Sequence, residues 1–208
     1  TLIYNGKYEE MSDELINLEN KSGKIVLLDT DRDGKYNIVF VTEYSNMVVE
    51  EVTNTNKIID KYGMPTLDLG ADNLSYRITR GGDEIDASEL KEFDVLSIAA
   101  SLDGELVDIV VSNESVTGKI TGSNDKGYYI DGTLYRVASN YTETLNIGLE
   151  GTFYLDIQGH IAAVDTKGML SSNYAYMTNA YVTVGDELPM FKFFTKEGEE
   201  LTVEANAK

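Results

Sequence analysis

The feature of this sequence that most constrains its fold is a two-hairpin unit that occurs three times. The three copies begin with the short turn signals Asn5-Gly6, Gly81-Gly82 and Asp131-Gly132. A second turn follows in each copy within a strongly apolar stretch, at residues 23–41, 93–111 and 151–164. Such units decide the fold class, because each one buries its apolar face against its neighbours. The repeat therefore predicts serial modules built from hairpins.

The apolar stretches have the composition of β-strands. Residues 24–28 and 36–41 are rich in β-branched and aromatic side chains, and both faces of the second segment are largely apolar. Asp33-Gly34 and Asp103-Gly104 are hairpin signals, because glycine accepts the positive φ of tight turns. We predict an all-β fold of tandem, small, hairpin-rich β-barrel or β-sandwich modules with a few short helical turns.

The helical signals and the module limits follow from the same pattern. Short helices are predicted at residues 11–18 and 55–62, and a single turn is predicted at 88–92. The predicted modules span 1–75, 76–127 and 128–190, and 191–208 is a hairpin that closes the third module or begins a fourth copy. We expect a hairpin turn near Glu197-Gly198 in that last segment. A chain with this ending is expected to be a fragment of a larger protein.

The composition excludes several classes of function. The 36 acidic and 17 basic residues give a net charge of −19, whereas nucleic acids and anionic membranes require a basic surface. The absence of cysteine excludes disulfides, thiolate metal sites and cysteine nucleophiles. No apolar run approaches the roughly 20 residues of a membrane helix, so we expect no membrane insertion. The acidity favours solubility, and it also suits Ca²⁺, which prefers oxygen ligands.

One motif resembles a metal-binding loop. Asp29, Asp31 and Asp33 alternate along the chain before Gly34, as carboxylates do in Ca²⁺ loops. An EF-hand is excluded, because Phe40 stands where that loop needs its bidentate carboxylate. The motif predicts either a looser Ca²⁺ loop or a polar hairpin tip whose aspartates make turn hydrogen bonds. The matching stretches of the other two copies lack the acidic ladder.

The sequence contains no recognisable catalytic constellation. His160 is the only histidine, it follows Gly159 in a predicted turn, and no Gly-x-Ser-x-Gly motif accompanies it. With 36 acidic residues, carboxylate pairs arise by chance. We therefore predict that the chain is not an enzyme and that no cofactor is required, Ca²⁺ being the one ion that the sequence suggests.

Tyrosines cluster in the last third of the chain, and they permit two interpretations. They are Tyr128, Tyr129, Tyr135, Tyr141, Tyr154, Tyr174, Tyr176 and Tyr181. Exposed aromatic platforms bind sugars, but tyrosine is also a common strand residue with an amphipathic body. The spacing of these residues follows the predicted strands, which favours packing over ligand binding.

Several segments resemble the repeat regions of clostridial and other Gram-positive cell-surface proteins that carry S-layer-homology domains. They are Gly23–Tyr44, Tyr129–Tyr135, Leu149–Asp165, Tyr174-Ala-Tyr176 and Phe191–Leu201. The resemblance implies an extracellular, cell-envelope location and a structural or adhesive role, with no catalytic residues to carry over. The wall-attachment domain itself is not recognisable in this chain.

The function that we predict is a non-catalytic extracellular segment of an S-layer-associated protein, acting as a spacer or as an adhesion and assembly surface. Its partner would be the cell wall or a protein surface. Two alternatives remain open, a structural protein of a bacteriophage tail or baseplate and a carbohydrate-binding or Ca²⁺-dependent adhesion module.

Overall fold

The structure is a computed structural model that describes residues 1–19, 21–166, 175–182, 189–195 and 200–204. The fold is all-β, as predicted, and consists of several sheets joined by turns. The chain divides into two compact units, Thr1–Val164 and Asp165–Lys208. Each unit is described by itself below.

The described strands form three sheets. The first sheet contains β1 Leu2–Tyr4, β2 Lys7–Glu9, β3 Ser22–Leu28, β4 Ile38–Val52, β5 Lys57–Asp60, β6 Leu67–Asp68, β7 Ser75–Arg80, β8 Asp83–Glu84, β9 Val95–Ala100 and β10 Leu106–Ser112. The second contains β11 Ser115–Asn124, β12 Gly127–Ile130, β13 Thr133–Tyr135, β14 Glu150–Leu155 and β15 Ile161–Asp165. The third contains β16 Ala175–Tyr181, β17 Met190–Thr195 and β18 Glu200–Glu204. The described helical elements are α1 Asp13–Ile16 and a 3₁₀ turn at Ala87–Glu89.

The first sheet is organised around β4. Its strand order is β2-β1-β4-β9-β10-β7-β8, with β3 paired to β4 and with β5 paired to β4 and β6. The β1–β4 and β7–β10 pairs are parallel, and the other pairs of this sheet are antiparallel. β4 spans 15 residues and therefore has four strand neighbours along its length. Pairing at both of its edges fixes the positions of the shorter strands.

The two faces of this sheet bury different partners. On one face Met47 and Val49 join a core with strands β7, β9 and β10, which Leu69 and Leu90 close from outside the sheet. On the other face Val48 packs against residues of the second sheet and its connections, which include Ala162. The alternation of side chains along β4 thus lets one strand serve two cores.

The second sheet has the order β13-β12-β11-β14-β15 and carries its own core. Phe153 and Ile161 are fully buried at its centre, and Tyr141 from the β13–β14 connection covers them. The Tyr141 ring meets Tyr62 edge-on, with 5.2 Å between the ring centroids. Tyr62 follows β5, so this aromatic contact joins the two sheets of the first unit.

A buried polar contact also joins these two sheets. The side-chain amide of Asn46 on β4 donates to Asp156 Oδ2 at 2.8 Å, and Ser97 Oγ donates to Asn46 Oδ1 at 2.9 Å. All three side chains are buried. Buried polar groups are costly unless they are hydrogen-bonded, so this chain of donors and acceptors fixes how the sheets meet.

The second unit contains the three-stranded sheet, in the order β16-β17-β18. Both pairs are antiparallel, and β16 carries a register shift between Met177 and Asn179. The rings of Phe191 and Phe193 lie 6.4 Å apart by their centroids. The turn expected near Glu197-Gly198 lies outside the described residues, as does Tyr174.

The hairpin predictions hold where the structure describes them. Asn5-Gly6 joins β1 to β2, and Asp131-Gly132 joins β12 to β13, with positive φ at all four residues. Asp33-Gly34 lies between the antiparallel strands β3 and β4. The turn signals therefore identified chain reversals correctly.

The helical predictions were partly wrong. Ser12 caps a helix that covers only Asp13–Ile16 of the predicted 11–18 segment, and the 3₁₀ turn covers Ala87–Glu89. The predicted helix at 55–62 is instead strand β5, which pairs with β4. Ile58 is fully buried in the main core, and this tertiary packing outweighs local helix propensity.

The predicted module limits do not coincide with the compact units. The limits at 75/76 and 127/128 both fall inside Thr1–Val164, and the limit at 190/191 falls inside β17. The physical reason is strand pairing, since β4 from the predicted first module pairs with β9 from the second. Residues 1–112 therefore share one sheet rather than forming two separate modules.

Asp156→Ala is expected to lower the free energy of unfolding by about 3 kcal/mol, because it leaves buried donors without an acceptor. Urea denaturation of the variant measures the change. Asp125→Ala removes an exposed turn carboxylate and should change the stability by less than about 0.5 kcal/mol. Asn46→Ala combined with Asp156→Ala should cost less than the sum of the two single changes. Equal effects of Asp156→Ala and Asp125→Ala would contradict this assignment.

Candidate functional site

The structure places Asp29, Asp31 and Asp33 together in the loop between β3 and β4. One carboxylate oxygen from each residue lies within 4.8 Å of the others. Asp31 and Asp33 are exposed, and Asp29 is half-buried. Three converging carboxylates supply part of the six to eight oxygen ligands that Ca²⁺ takes, and main-chain carbonyls or water would have to supply the others.

The same aspartates also shape the loop. Asp29 accepts hydrogen bonds from the N–H groups of Arg32 at 2.7 Å and Gly34 at 3.0 Å, and Asp33 accepts one from Lys35 N–H at 2.8 Å. Arg32 and Gly34 have positive φ, at 61° and 86°. These contacts are the turn hydrogen bonds of the second interpretation, and they hold the carboxylates of Asp29 and Asp33 in place.

The pKa of Asp29 is lowered from its ordinary value by this arrangement. Partial desolvation acts in the opposite direction and would raise the pKa, but the N–H donors of Gly34 and Arg32 outweigh it. Asp29 is thus held as a carboxylate, which is the form that a cation needs.

The matching turn of the second copy uses its aspartate for an ion pair. Lys7 Nζ lies 2.5 Å from Asp103 Oδ2 and 2.7 Å from Glu105 Oε2. The Lys7 ammonium, the Ser101 hydroxyl and the Glu105 N–H together lower the pKa of Asp103 well below its usual range. This turn therefore ties the β1–β2 hairpin to the β9–β10 hairpin.

The matching turn of the third copy uses its aspartate internally. Asp156 Oδ1 accepts from the N–H groups of Gln158 and His160, both at 2.9 Å. His160 lies in the turn, as predicted, with its Nδ1 atom 3.7 Å from Asp156 Oδ2. His160 therefore lies beside the Asn46–Asp156 contact that joins the two sheets.

Sequence reasoning missed a second turn of this kind. Asp60 is buried and accepts three main-chain hydrogen bonds, from Val48 at 2.7 Å, Tyr62 at 2.8 Å and Met64 at 2.9 Å. Asp60 and Asp156 bond the N–H groups two and four residues later, and each is followed at the third position by a glycine with positive φ. The sequence signal is an apolar strand that ends in Asp-x-x-Gly.

Four of the seven clustered tyrosines that the structure describes pack in its cores. Tyr141 is buried, and burial, together with Tyr62 and Glu143, raises its pKa above the usual range. Tyr154 stacks on Phe93 with ring centroids 5.0 Å apart, and Tyr128 packs against the core of the second sheet. Tyr176 differs, since 76% of its surface is exposed.

A groove on the first sheet lies beside several polar side chains. Its volume is about 260 Å³, and Asn5, Thr42, Tyr76, Arg77 and Asp108 are among the residues that line it. Arg77 forms a two-point ion pair with Asp108, with Nε–Oδ1 at 3.0 Å and Nη2–Oδ2 at 3.1 Å. Tyr76 and Arg77 are neighbours on β7, so their side chains point to opposite faces of the sheet, and the groove presents the planar ion pair rather than the Tyr76 ring to a small ligand.

If the Asp29–Asp33 loop binds Ca²⁺, millimolar Ca²⁺ is expected to raise the melting temperature. At about ten times the dissociation constant the rise is roughly 3–5 °C, and a chelator should reverse it. Asp31→Ala should abolish the shift, and this residue is chosen because the loop's main-chain hydrogen bonds go to Asp29 and Asp33. Asp125→Ala should leave the shift intact. A shift that Asp31→Ala retains would place the ion elsewhere.

Comparisons with protein-family models, with curated proteins and with solved structures found no match to this chain.

Proposed function

We propose that this chain is a non-catalytic extracellular segment of a bacterial cell-surface protein of the S-layer-associated kind, acting as a spacer or as an adhesion and assembly surface. The observation that carries the proposal is where the resembling segments lie. Gly23–Tyr44 contains β3 and part of β4, Tyr129–Tyr135 contains the β12–β13 turn, and Leu149–Asp165 contains β14 and β15. The resemblance thus coincides with antiparallel strands and their turns, which is what a structural repeat would preserve.

The architecture supports a mechanical role. A sheet of ten strands is held together by main-chain hydrogen bonds. It packs against a second sheet through a buried amide–carboxylate hydrogen bond and through packed aromatic rings. Cores of this kind on both faces of a strand resist local opening, because no part of the strand separates without disturbing both. A spacer needs such resistance more than it needs a cavity.

The charge of the chain supports an exposed location on the cell envelope. Its net charge of −19 favours solubility at high local density. The described helices are too short to cross a membrane. Assembly would then depend on local patches of complementary shape and charge rather than on nonspecific attraction between copies.

A carbohydrate-binding role is the second candidate, and the groove at the Arg77–Asp108 ion pair is the observation that favours it. The two-point ion pair in this groove offers hydrogen-bond donors and acceptors to the hydroxyl groups of a sugar. The same site would make the chain an adhesion module for a cell-wall glycan.

Surface location is tested on intact cells of the source bacterium with an antibody raised against the purified chain. We expect equal labelling of intact and lysed cells, and loss of the signal when intact cells are treated with a protease. A cytosolic marker provides the control, since it should resist the protease until lysis. Labelling that requires lysis would contradict the proposal, and recovery of the protein in phage particles would favour the tail or baseplate alternative.

Isothermal titration calorimetry with purified cell-wall glycan tests the second candidate. Binding at the groove predicts measurable heat, and Arg77→Ala should weaken the affinity about tenfold or more, because the hydrogen bonds of the guanidinium group are lost. Lys35→Ala removes an exposed cation outside the groove and should leave binding unchanged. Absence of heat with the unmodified protein would eliminate this candidate.

A further inference from the structure

The outer edge of β3 is unpaired among the described residues of the first unit. β3 runs over seven residues, and the strand that it pairs with is β4. Unpaired edges of this length are rare, because they present main-chain donors and acceptors to any other strand. Natural proteins usually shorten, bend or cover such an edge.

The register shows which main-chain groups point outward. Val39 N–H donates to Thr1, and Val41 C=O accepts from Asn5, so the odd-numbered residues at this end of β4 face β1. The even-numbered residues of β4 therefore face β3, where they pair with Leu28, Val26 and Lys24. The N–H and C=O groups that remain, on Gly23, Ile25 and Leu27, point away from the sheet.

The side chains along this edge are exposed and apolar. Ile25, Val26, Leu27 and Leu28 are 39%, 41%, 44% and 40% exposed, which is unusual for four consecutive residues of this type. β3 contains no proline, and its pairing with β4 continues without a register shift. Lys24 is the one charged residue of β3, and a single lysine hinders the pairing of an edge strand with another strand only weakly.

We propose that β3 pairs with β3 of a second copy of this chain, antiparallel and about a two-fold axis at Ile25. In this register Ser22 lies opposite Leu28 of the second copy, and each strand overlaps the other over its whole length. The outward-pointing residues Gly23, Ile25 and Leu27 then form the hydrogen-bonded pairs, which gives about six main-chain hydrogen bonds. The first sheets of the two copies become one continuous sheet.

Charge complementarity selects the second copy as the partner. The register places Lys21 opposite Asp29 of the second copy, and the two-fold axis produces this pair twice. Lys21 lies 3.1 Å from Glu43 and is exposed, so its other N–H donors are available. The Asp29 carboxylate has acceptor capacity beyond its two loop hydrogen bonds. The two Lys24 side chains lie on a diagonal about 7–8 Å apart, where solvent screens their repulsion.

The size of the contact predicts weak association in dilute solution. One pair of seven-residue strands buries less than the roughly 1,200 Å² of a stable complex, so the dimer should form at high local concentration. A crowded surface layer provides such a concentration. This inference deepens the assembly role and rests on the proposed function for its biological meaning, whereas its tests use purified protein. A failed test would remove the assembly contact and leave the cell-surface location to be decided separately.

Single-cysteine cross-linking tests the register, since the chain has no cysteine of its own. Residues at the two-fold axis have Cα atoms about 5.5 Å apart, which is within the range of a disulfide. Ile25→Cys should therefore give a covalent dimer on mild oxidation. Leu28→Cys is the matched control, because its two copies lie about 20 Å apart along the strands. Equal cross-linking of both variants would overturn the proposal.

Sedimentation velocity over a range of concentrations tests the pairing itself. Ile25→Pro removes an N–H that points outward, so the β3–β4 hydrogen bonds remain and the fold should persist. The dimer dissociation constant should rise about tenfold or more, because the central pair loses two hydrogen bonds. Ile147→Pro, in an exposed turn, is the control, and circular dichroism verifies the fold of each variant. A protein that is monomeric at every concentration, or dimers that Ile25→Pro leaves unchanged, would refute the pairing.

Discussion

The structure of the first unit depends on one constraint, the pairing of β4 along both of its edges. This strand pairs with β1 and β3 near its start, with β9 in its middle and with β5 at its end. Its side chains alternate between two cores, so a one-residue slip would reverse both faces at once. The register of the whole sheet, and the docking of the second sheet through Asn46, follow from that one strand.

Carboxylates at strand ends provide the second level of order. Asp60 and Asp156 each accept several hydrogen bonds in the turn where a strand ends, and thereby satisfy donors that the ladder leaves free. Asp29 does the same in a longer loop. Some of the acidic residues therefore stabilise turns of the fold. For this reason a series of alternating aspartates in a sequence does not by itself distinguish a cation site from a turn that aspartate hydrogen bonds stabilise.

Local features of the fold were predictable, and non-local ones were not. Asn5-Gly6, Asp33-Gly34 and Asp131-Gly132 marked reversals correctly, because a turn's backbone conformation depends on a few neighbouring residues. The parallel pairs β1–β4 and β7–β10 could not be inferred, since strand partners distant in sequence leave no local signal. Asp60 escaped notice because its hydrogen bond to Val48 is tertiary. The convergence of the three loop aspartates followed the alternation in sequence, which is a local property.

The loop and the edge of β3 are connected through Asp29. Its carboxylate closes the loop on one side and, in the proposed dimer, faces Lys21 of the second copy on the other. A cation bound at Asp29 would neutralise part of the negative charge with which Lys21 of the second copy pairs. The same cation would also make the end of β3 more rigid. These two effects oppose each other in sign, the first weakening the pairing and the second strengthening it. Thermodynamic linkage is reciprocal, so whichever effect is larger must appear equally as a change in cation affinity on dimer formation. If the loop binds a cation and β3 pairs with a second copy, the aspartate ladder and the apolar edge, which look independent in sequence, would form one coupled system.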